Sequence, residues 1–258
     1  MSELQVKTMA EFMHEGKEAD LLFWVGSAGS FDDRAKKISR SFVKIMNKAG
    51  VNFGVLGIEE SSSGDVAKRA GNEFLFQMQA INNIQVLNTY NIKHIVTTCP
   101  HSYNTFKNEY PNLGGNYMVQ HHTEFIADLL SKGKLSITTN LDMKKVTFHD
   151  PCYLGRANGV FDIPRDLITT LGFQLVEMPR TKQNSFCCGA GGAQMFKDAE
   201  KGDQEINIVR TKEALSCNPD IIATGCPFCN TMMTDGVKSL AEGNTEVLDI
   251  AELIAENI

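Results

Sequence analysis

Sulfur is where this sequence could do chemistry. Cysteine occurs at Cys99, Cys152, Cys187, Cys188, Cys217, Cys226 and Cys229. Cys152 precedes the adjacent pair Cys187-Cys188 by 34 intervening residues, and Cys226-Pro227-Phe228-Cys229 completes the group. Soft thiolates select zinc, copper(I) or iron–sulfur clusters over hard cations. A structural zinc site takes four ligands, and an ordinary cubane takes four cysteines, so five thiols exceed both counts. Counting favours an iron–sulfur group, with zinc as the alternative. Neighbouring residues on a strand face opposite ways, so Cys187 and Cys188 can reach one centre only where the chain turns. Gly189-Ala190-Gly191-Gly192 supplies that freedom.

The elements that must position these residues alternate between strand and helix. Leu21–Val25 reads as a strand ending in a Gly-Ser-Ala-Gly-Ser turn. Ile38, Phe42, Ile45, Met46 and Ala49 then recur at helical spacing up to Gly50. Val51–Leu56 reads as a strand, Asp65 to about Ala80 as a helix with Phe74, Met78 and Ile81 on one side, and His94–Thr98 as a strand leading into Cys99-Pro100. In the second half, strands are expected at Lys145–Phe148, Gln174–Glu177 and Ile221–Thr224, and helices at Phe161–Leu171, Gln204–Leu215 and Asp249–Glu256. Such alternation predicts an α/β fold of parallel sheets covered by helices. The cysteines of the group then fall at the C-terminal ends of strands, where open α/β sheets place their ligands.

The two halves are copies. Ser27, Ser62 and Ser63 precede Cys152, Cys187 and Cys188 by 125 residues; Cys99 and Ser102 precede Cys226 and Cys229 by 127. Thr123–Ala127 and Ala251–Ala255 align at an offset of 128. TTCPHSYNTF in one half answers ATGCPFCNTM in the other. The expected architecture is two duplicated strand–helix units related by a pseudo-two-fold, with a leader at 1–20, a first unit at 21–140 and a second at 141–258. The first unit has the same frame with serine at most ligand positions.

The segments HDPCYLGRANG, FCCGAGGAQMF and GCPFCNTMMTDG resemble the cysteine-rich (CCG) domain of the heterodisulfide reductases. They are also similar to lactate-utilisation protein A and the glycolate oxidase iron–sulfur subunit. The resemblance extends over nearly the whole chain, through WVGSAGSFDDR, LGIEESSSGD and CPHSYNTFKNEYPNLGGNY. It implies a non-cubane 4Fe-4S cluster held by Cys152, Cys187, Cys188, Cys226 and Cys229. It further implies electron transfer to a disulfide or to a redox partner: a ferredoxin-type iron–sulfur protein, a flavoprotein or a membrane-bound oxidoreductase. Relatives carry cysteine where Ser27, Ser62 and Ser102 stand here, so one cluster is expected, and Cys99 as a packed free thiol. The competing expectation is a non-catalytic scaffold or assembly subunit with zinc or a structural cluster at the same cysteines.

Around the cysteines, His149 is a candidate proton donor to a sulfur substrate, against a plainer role capping the strand end or hydrogen-bonding a cluster sulfur. His121-His122 with Glu124 reads as a helix start rather than a metal site. Arg156 and Arg180 read as surface or ion-pair residues. Gly26-Ser27-Ala28-Gly29 is a weak match to a phosphate-binding turn, lacking the third Rossmann glycine and a Walker lysine. Cys217 and Met232-Met233 read as packing.

Composition bounds the rest. Lys and Arg total 25 against 31 Asp and Glu, a net charge of −6, and no basic block occurs, which predicts no nucleic-acid partner. Apolar runs are too short to span a bilayer. The N-terminal stretch mixes both charge signs, which predicts no secretory leader and a cytoplasmic location, or one peripheral to a membrane complex. Thiols in that compartment stay reduced, which weighs against a disulfide framework.

Overall fold

The computed structural model describes residues 4–139, 143–198, 201–240 and 245–258. The first half runs β1 (Lys7–Thr8), α1 (Met9–His14), β2 (Leu21–Trp24), α2 (Gly26–Phe31), α3 (Asp33–Lys48), β3 (Phe53–Val55), α4 (Asp65–Arg69), α5 (Glu73–Thr89), β4 (His94–Thr97), α6 (Pro100–Asn104), β5 (Met118–His121) and α7 (His122–Ser131). The second runs β6 (Lys145–Phe148), α8 (Asp162–Thr170), β7 (Gln174–Leu175), α9 (Ile206–Leu215), β8 (Ile221–Thr224), α10 (Pro227–Leu240), β9 (Glu246–Asp249) and α11 (Ile250–Glu256). The expected boundary at 140/141 lies outside the described residues.

Every strand pairing among the described residues is parallel. One sheet has the order β1-β3-β2-β4-β5, the other β7-β6-β8-β9. Setting β1 aside, the orders are the same. The central pair repeats in register as well, Leu22 opposite Ile95 in one sheet and Val146 opposite Ile221 in the other. The fold is therefore a duplicated α/β unit.

Period-two alternation places the layers. On β2, Leu21 and Phe23 face one core while Leu22 and Trp24 face another; on β8, Ile221 and Ala223 face the first core while Ile222 turns away. The shared core lies between the sheets and is filled from α3, α7, α8 and α11. α5 closes the outer face of the first sheet, and α9 and α10 that of the second.

Several elements differ from expectation. The helix beginning at Asp65 breaks at Gly71, where φ is +87°, and restarts with Asn72 accepting the Leu75 N–H. The buried side of α5 is Phe76, Ala80, Asn83, Ile84 and Leu87, whereas Phe74, Met78 and Ile81 are exposed. The Gly26–Gly29 turn is the start of a short helix, α2. Strands β5 and β9 were not expected; they prolong both sheets on the same side. Residues before β2 carry β1 and α1, with Met9 and Phe12 buried.

Candidate metal centre

In each sheet the strand order reverses between the central pair, β2 and β4 or β6 and β8, and open α/β sheets bind ligands at such a point, beyond the C-terminal strand ends. Cys152 follows β6 there and Cys226 follows β8. Cys226 sits immediately before α10, whose first free N–H groups, those of Phe228 and Cys229, hydrogen-bond its sulfur. Cys229 lies within the first turn of α10. Cys187 and Cys188 occupy the loop beyond β7 rather than a strand tip. The loop turns as the glycines allow: Gly189 has φ +92°, and a Cβ there would stand 3.1 Å from Cβ of Ile206.

All five sulfurs belong to one contact chain. Cys152 and Cys188 both hydrogen-bond Cys187, Cys188 also meets Cys229, and Cys229 meets Cys226. Cys188, Cys226 and Cys229 are buried and form a packed group with Ala190, covered by Met195, Phe228 and Met232. Charge is shared unevenly. Hydrogen bonds from Cys152 and Cys188, with the Gly189 N–H at 3.3 Å, pull the Cys187 thiol far down. Cys226 is lowered too, because the Cys229 thiol, His101 and the α10 N–H groups outweigh its desolvation. Cys152, Cys188 and Cys229 are raised by donating to these neighbours. A convergent, mostly buried all-sulfur donor set with thiolate character suits a soft metal centre.

Two loops are tied together beneath the sulfurs. Asp150, two residues before Cys152, accepts from Arg165 of α8, from the Lys182 N–H at 2.8 Å and from Thr181. Arg156 donates to the Ser185 carbonyl, and Arg180 stacks on Phe186 at 3.9 Å while pairing with Glu213. The loop entering Cys187 is thus pinned at Thr181–Phe186. Both arginines make the ion-pair or local contacts expected of them, but Arg165 and its tie to Asp150 were missed. The signal was a charge three residues before Ile168, on the buried side of α8.

His149 is buried beside this set. A ring nitrogen of His149 and the sulfurs of Cys188 and Cys229 all lie within 4.8 Å of one another. Burial, reinforced by the charge of Arg210, holds its imidazole down to about 3. It is therefore a neutral ring at physiological pH. His121-His122 begin α7 as expected: Glu124 accepts the His121 N–H, and His122 Nε2 donates to Asp249 at 2.9 Å. Cys217 packs near the carbonyl of Glu177 and lies outside the sulfur contact chain. Met232 covers the cysteines while Met233 packs into the outer core.

The serine frame of the first half also converges. Ser27, Ser62, Ser63, Cys99 and Ser102 line one cavity together with Asp65, His101, Pro227 and Phe228. Cys99 is buried there, its thiol pushed up to about 12 by desolvation and by the charge of Cys226. The Gly26 turn is already occupied: Glu60 accepts the N–H groups of Val25 at 3.0 Å and Gly26 at 2.6 Å, so no phosphate can take them. Asp65 holds His101 through its Nδ1 at 2.9 Å, at the seam between this cavity and Cys226.

Known proteins resemble this chain in sequence. The family model described as the CCG cysteine-rich domain matches twice, over residues 22–107 and 146–234. Among curated proteins, the probable iron-sulfur-binding oxidoreductase FadF of Bacillus subtilis is 48% identical over 98% of this chain and 36% of its own length. The EtfAB:quinone oxidoreductase of Syntrophomonas wolfei is 46% identical over 98% of this chain and 37% of its own. A subunit of the dihydromethanophenazine:CoB--CoM heterodisulfide reductase of Methanosarcina barkeri is 32% identical over 93% of this chain and 59% of its own. The chain spans little more than a third of the first two relatives. It belongs to the CCG cysteine-rich domain family.

Proposed function

We propose that this member of the CCG cysteine-rich domain family is an iron–sulfur oxidoreductase subunit whose second unit, residues 141–258, holds one non-cubane 4Fe-4S cluster through Cys152, Cys187, Cys188, Cys226 and Cys229. The observation that carries the reading is the unbroken contact chain of five sulfurs from three separate segments. Cysteines with only a packing role have no need to converge from three separate segments onto one another. When bound, such a cluster takes up and releases electrons singly. The chain's own residues prepare the place. α10 directs its N-terminal N–H groups and positive helix end at Cys226, and Gly189 bends the loop so that Cys187 and Cys188 both face inward. Met195, Phe228 and Met232 exclude water.

The relatives' names support electron transfer with a partner: a flavoprotein, a ferredoxin-type protein or a membrane-bound oxidoreductase, with a disulfide or a further redox centre as acceptor. Among the described residues, no helix is long and apolar enough to cross a membrane. A cytoplasmic place, peripheral to a membrane complex, suits a carrier of electrons to such a partner. The first unit, 21–140, has Cys99 as its single cysteine, and serine hydroxyls are hard, rarely ionised donors, which is why a single cluster is proposed.

A second reading, a zinc-bearing scaffold, draws on the proximity of His149 to Cys188 and Cys229. Anaerobic purification followed by iron, sulfide and zinc analysis separates the two. About four irons per chain with a cluster-type visible band supports the redox reading. Stoichiometric zinc without iron rejects it. Alanine at any one of the five cysteines should lower the iron content, whereas Cys217→Ala should leave it unchanged.

A further inference from the structure

Arg210 of α9 is completely buried, yet its guanidinium is only partly spent. Nη1 donates to the Arg180 carbonyl at 2.9 Å and pairs with Glu213 at 3.1 Å, while Nη2 has no acceptor among the described residues. The remaining donor, Nε, lies 3.0 Å from Nδ1 of His149. A guanidinium has N–H groups and no lone pair, so this bond has one direction: Arg210 donates and Nδ1 accepts. A neutral imidazole whose Nδ1 lone pair is engaged carries its proton on Nε2. The ring then has no in-plane lone pair left for the sulfurs beside it, Cys188 and Cys229. It can offer them an N–H only.

We propose that Arg210 is a positioning residue that locks His149 as an Nε2–H donor toward the cysteine sulfurs, and so excludes His149 as a ligand of the metal they hold. The second half of this inference rests on the iron–sulfur reading; the first does not. Burying a charge without full pairing is expensive, so stability alone is a poor reason for an arginine here. An N–H aimed at a thiolate or cluster sulfur favours the more negative, reduced state, and hydrogen bonds to sulfur are among the terms that set cluster potentials. The positive charge behind the ring acts in the same direction.

The test uses the full chain in two forms. In metal-free protein with ¹⁵N-labelled histidine, long-range proton–nitrogen correlation should show the His149 ring, identified by its loss in His149→Leu, protonated at Nε2 alone. In Arg210→Met that single tautomer should give way to a mixture. An Nδ1–H ring in the parent protein overturns the proposal whether or not iron binds. In iron-loaded protein, His149→Leu and Arg210→Met should both lower the potential, by about a tenfold change in the reduced-to-oxidised ratio, which is 59 mV for a one-electron couple. His149→Gln, whose amide N–H reaches about as far as Nε2, should recover part of the loss and covers the case in which the leucine variant fails to fold. An unmoved potential in properly folded variants rejects the role. In cobalt(II)-substituted protein the thiolate-to-metal bands should be the same for parent and His149→Gln; loss of a nitrogen ligand in that variant makes His149 a ligand and defeats the proposal.

Discussion

Arg165 meets Asp150 with both prongs of its guanidinium: Nη1 lies 2.8 Å from Oδ1 and Nη2 lies 2.9 Å from Oδ2. Both side chains are almost fully buried, and the same arginine also reaches Glu177. Two-pronged, charge-assisted pairs of this kind fix geometry as well as energy. Here the pair anchors the strand end that delivers Cys152 to the loop that delivers Cys187. Removing one partner leaves a buried charge uncompensated. Arg165→Met should cost about 3–5 kcal/mol in urea unfolding of the metal-free protein, and Asp150→Asn added to it should recover part of that loss. The Asp150 carboxyl is held below its ordinary value; desolvation opposes this, but the hydrogen bonds and charge of Arg165 outweigh it. Its stabilising contribution is therefore complete above the unfolded value near 3.8 and fades as pH falls through the folded value. Arg165→Met should flatten that acid limb.

Glu60 titrates in the opposite sense. Burial raises its carboxyl to about 7, with the Val25 and Gly26 N–H groups opposing. The folded chain binds this proton more tightly than the unfolded chain. Stability from Glu60 is thus full below pH 4.5 and is lost as pH rises through 7, by about 3 kcal/mol at most. Denaturation midpoints of the parent protein should fall between pH 5 and pH 8, and Glu60→Gln should remove much of that slope. A parent protein equally stable at both pH values contradicts the assignment.

The orientation of α5 gives a third test. Phe76 is 2% exposed and Phe74 is 75% exposed. Phe76→Ala should cost about 3–5 kcal/mol, whereas Phe74→Ala should stay within about 0.5 kcal/mol. Equal losses in chemical denaturation would show that the helix is rotated from the orientation described above.

Most of this architecture can be read from the residues because it is written twice. Lys145–Phe148 and Ile221–Thr224 are strands in the ranges the pattern predicts, since continuous apolar runs ending at turn residues suit buried parallel strands. Met118–His121 and Glu246–Asp249 escaped because they are edge strands with polar ends, and the helix starts that follow dominate the pattern. α5 is apolar on both faces, with Phe74 and Met78 rivalling Phe76 and Ala80, so periodicity alone cannot choose its inside. The cysteines declare themselves through type and repetition. Arg165, Arg210 and Glu60 do not: a buried charge is indistinguishable from a surface one until the chain brings its partner to it.

The interior between the two sheets belongs to neither half. Phe42 and Phe125 from one copy share it with Leu167 and Ile254 from the other, and Arg34 crosses to pair with Glu252 at 2.6 Å. Severing the chain at the repeat boundary would strip both pieces of half their oily lining and leave two sticky surfaces rather than two small proteins. The serine-bearing copy is thus indispensable as masonry, irrespective of any ligand, and the sulfur-bearing copy stands upright only while leaning on it.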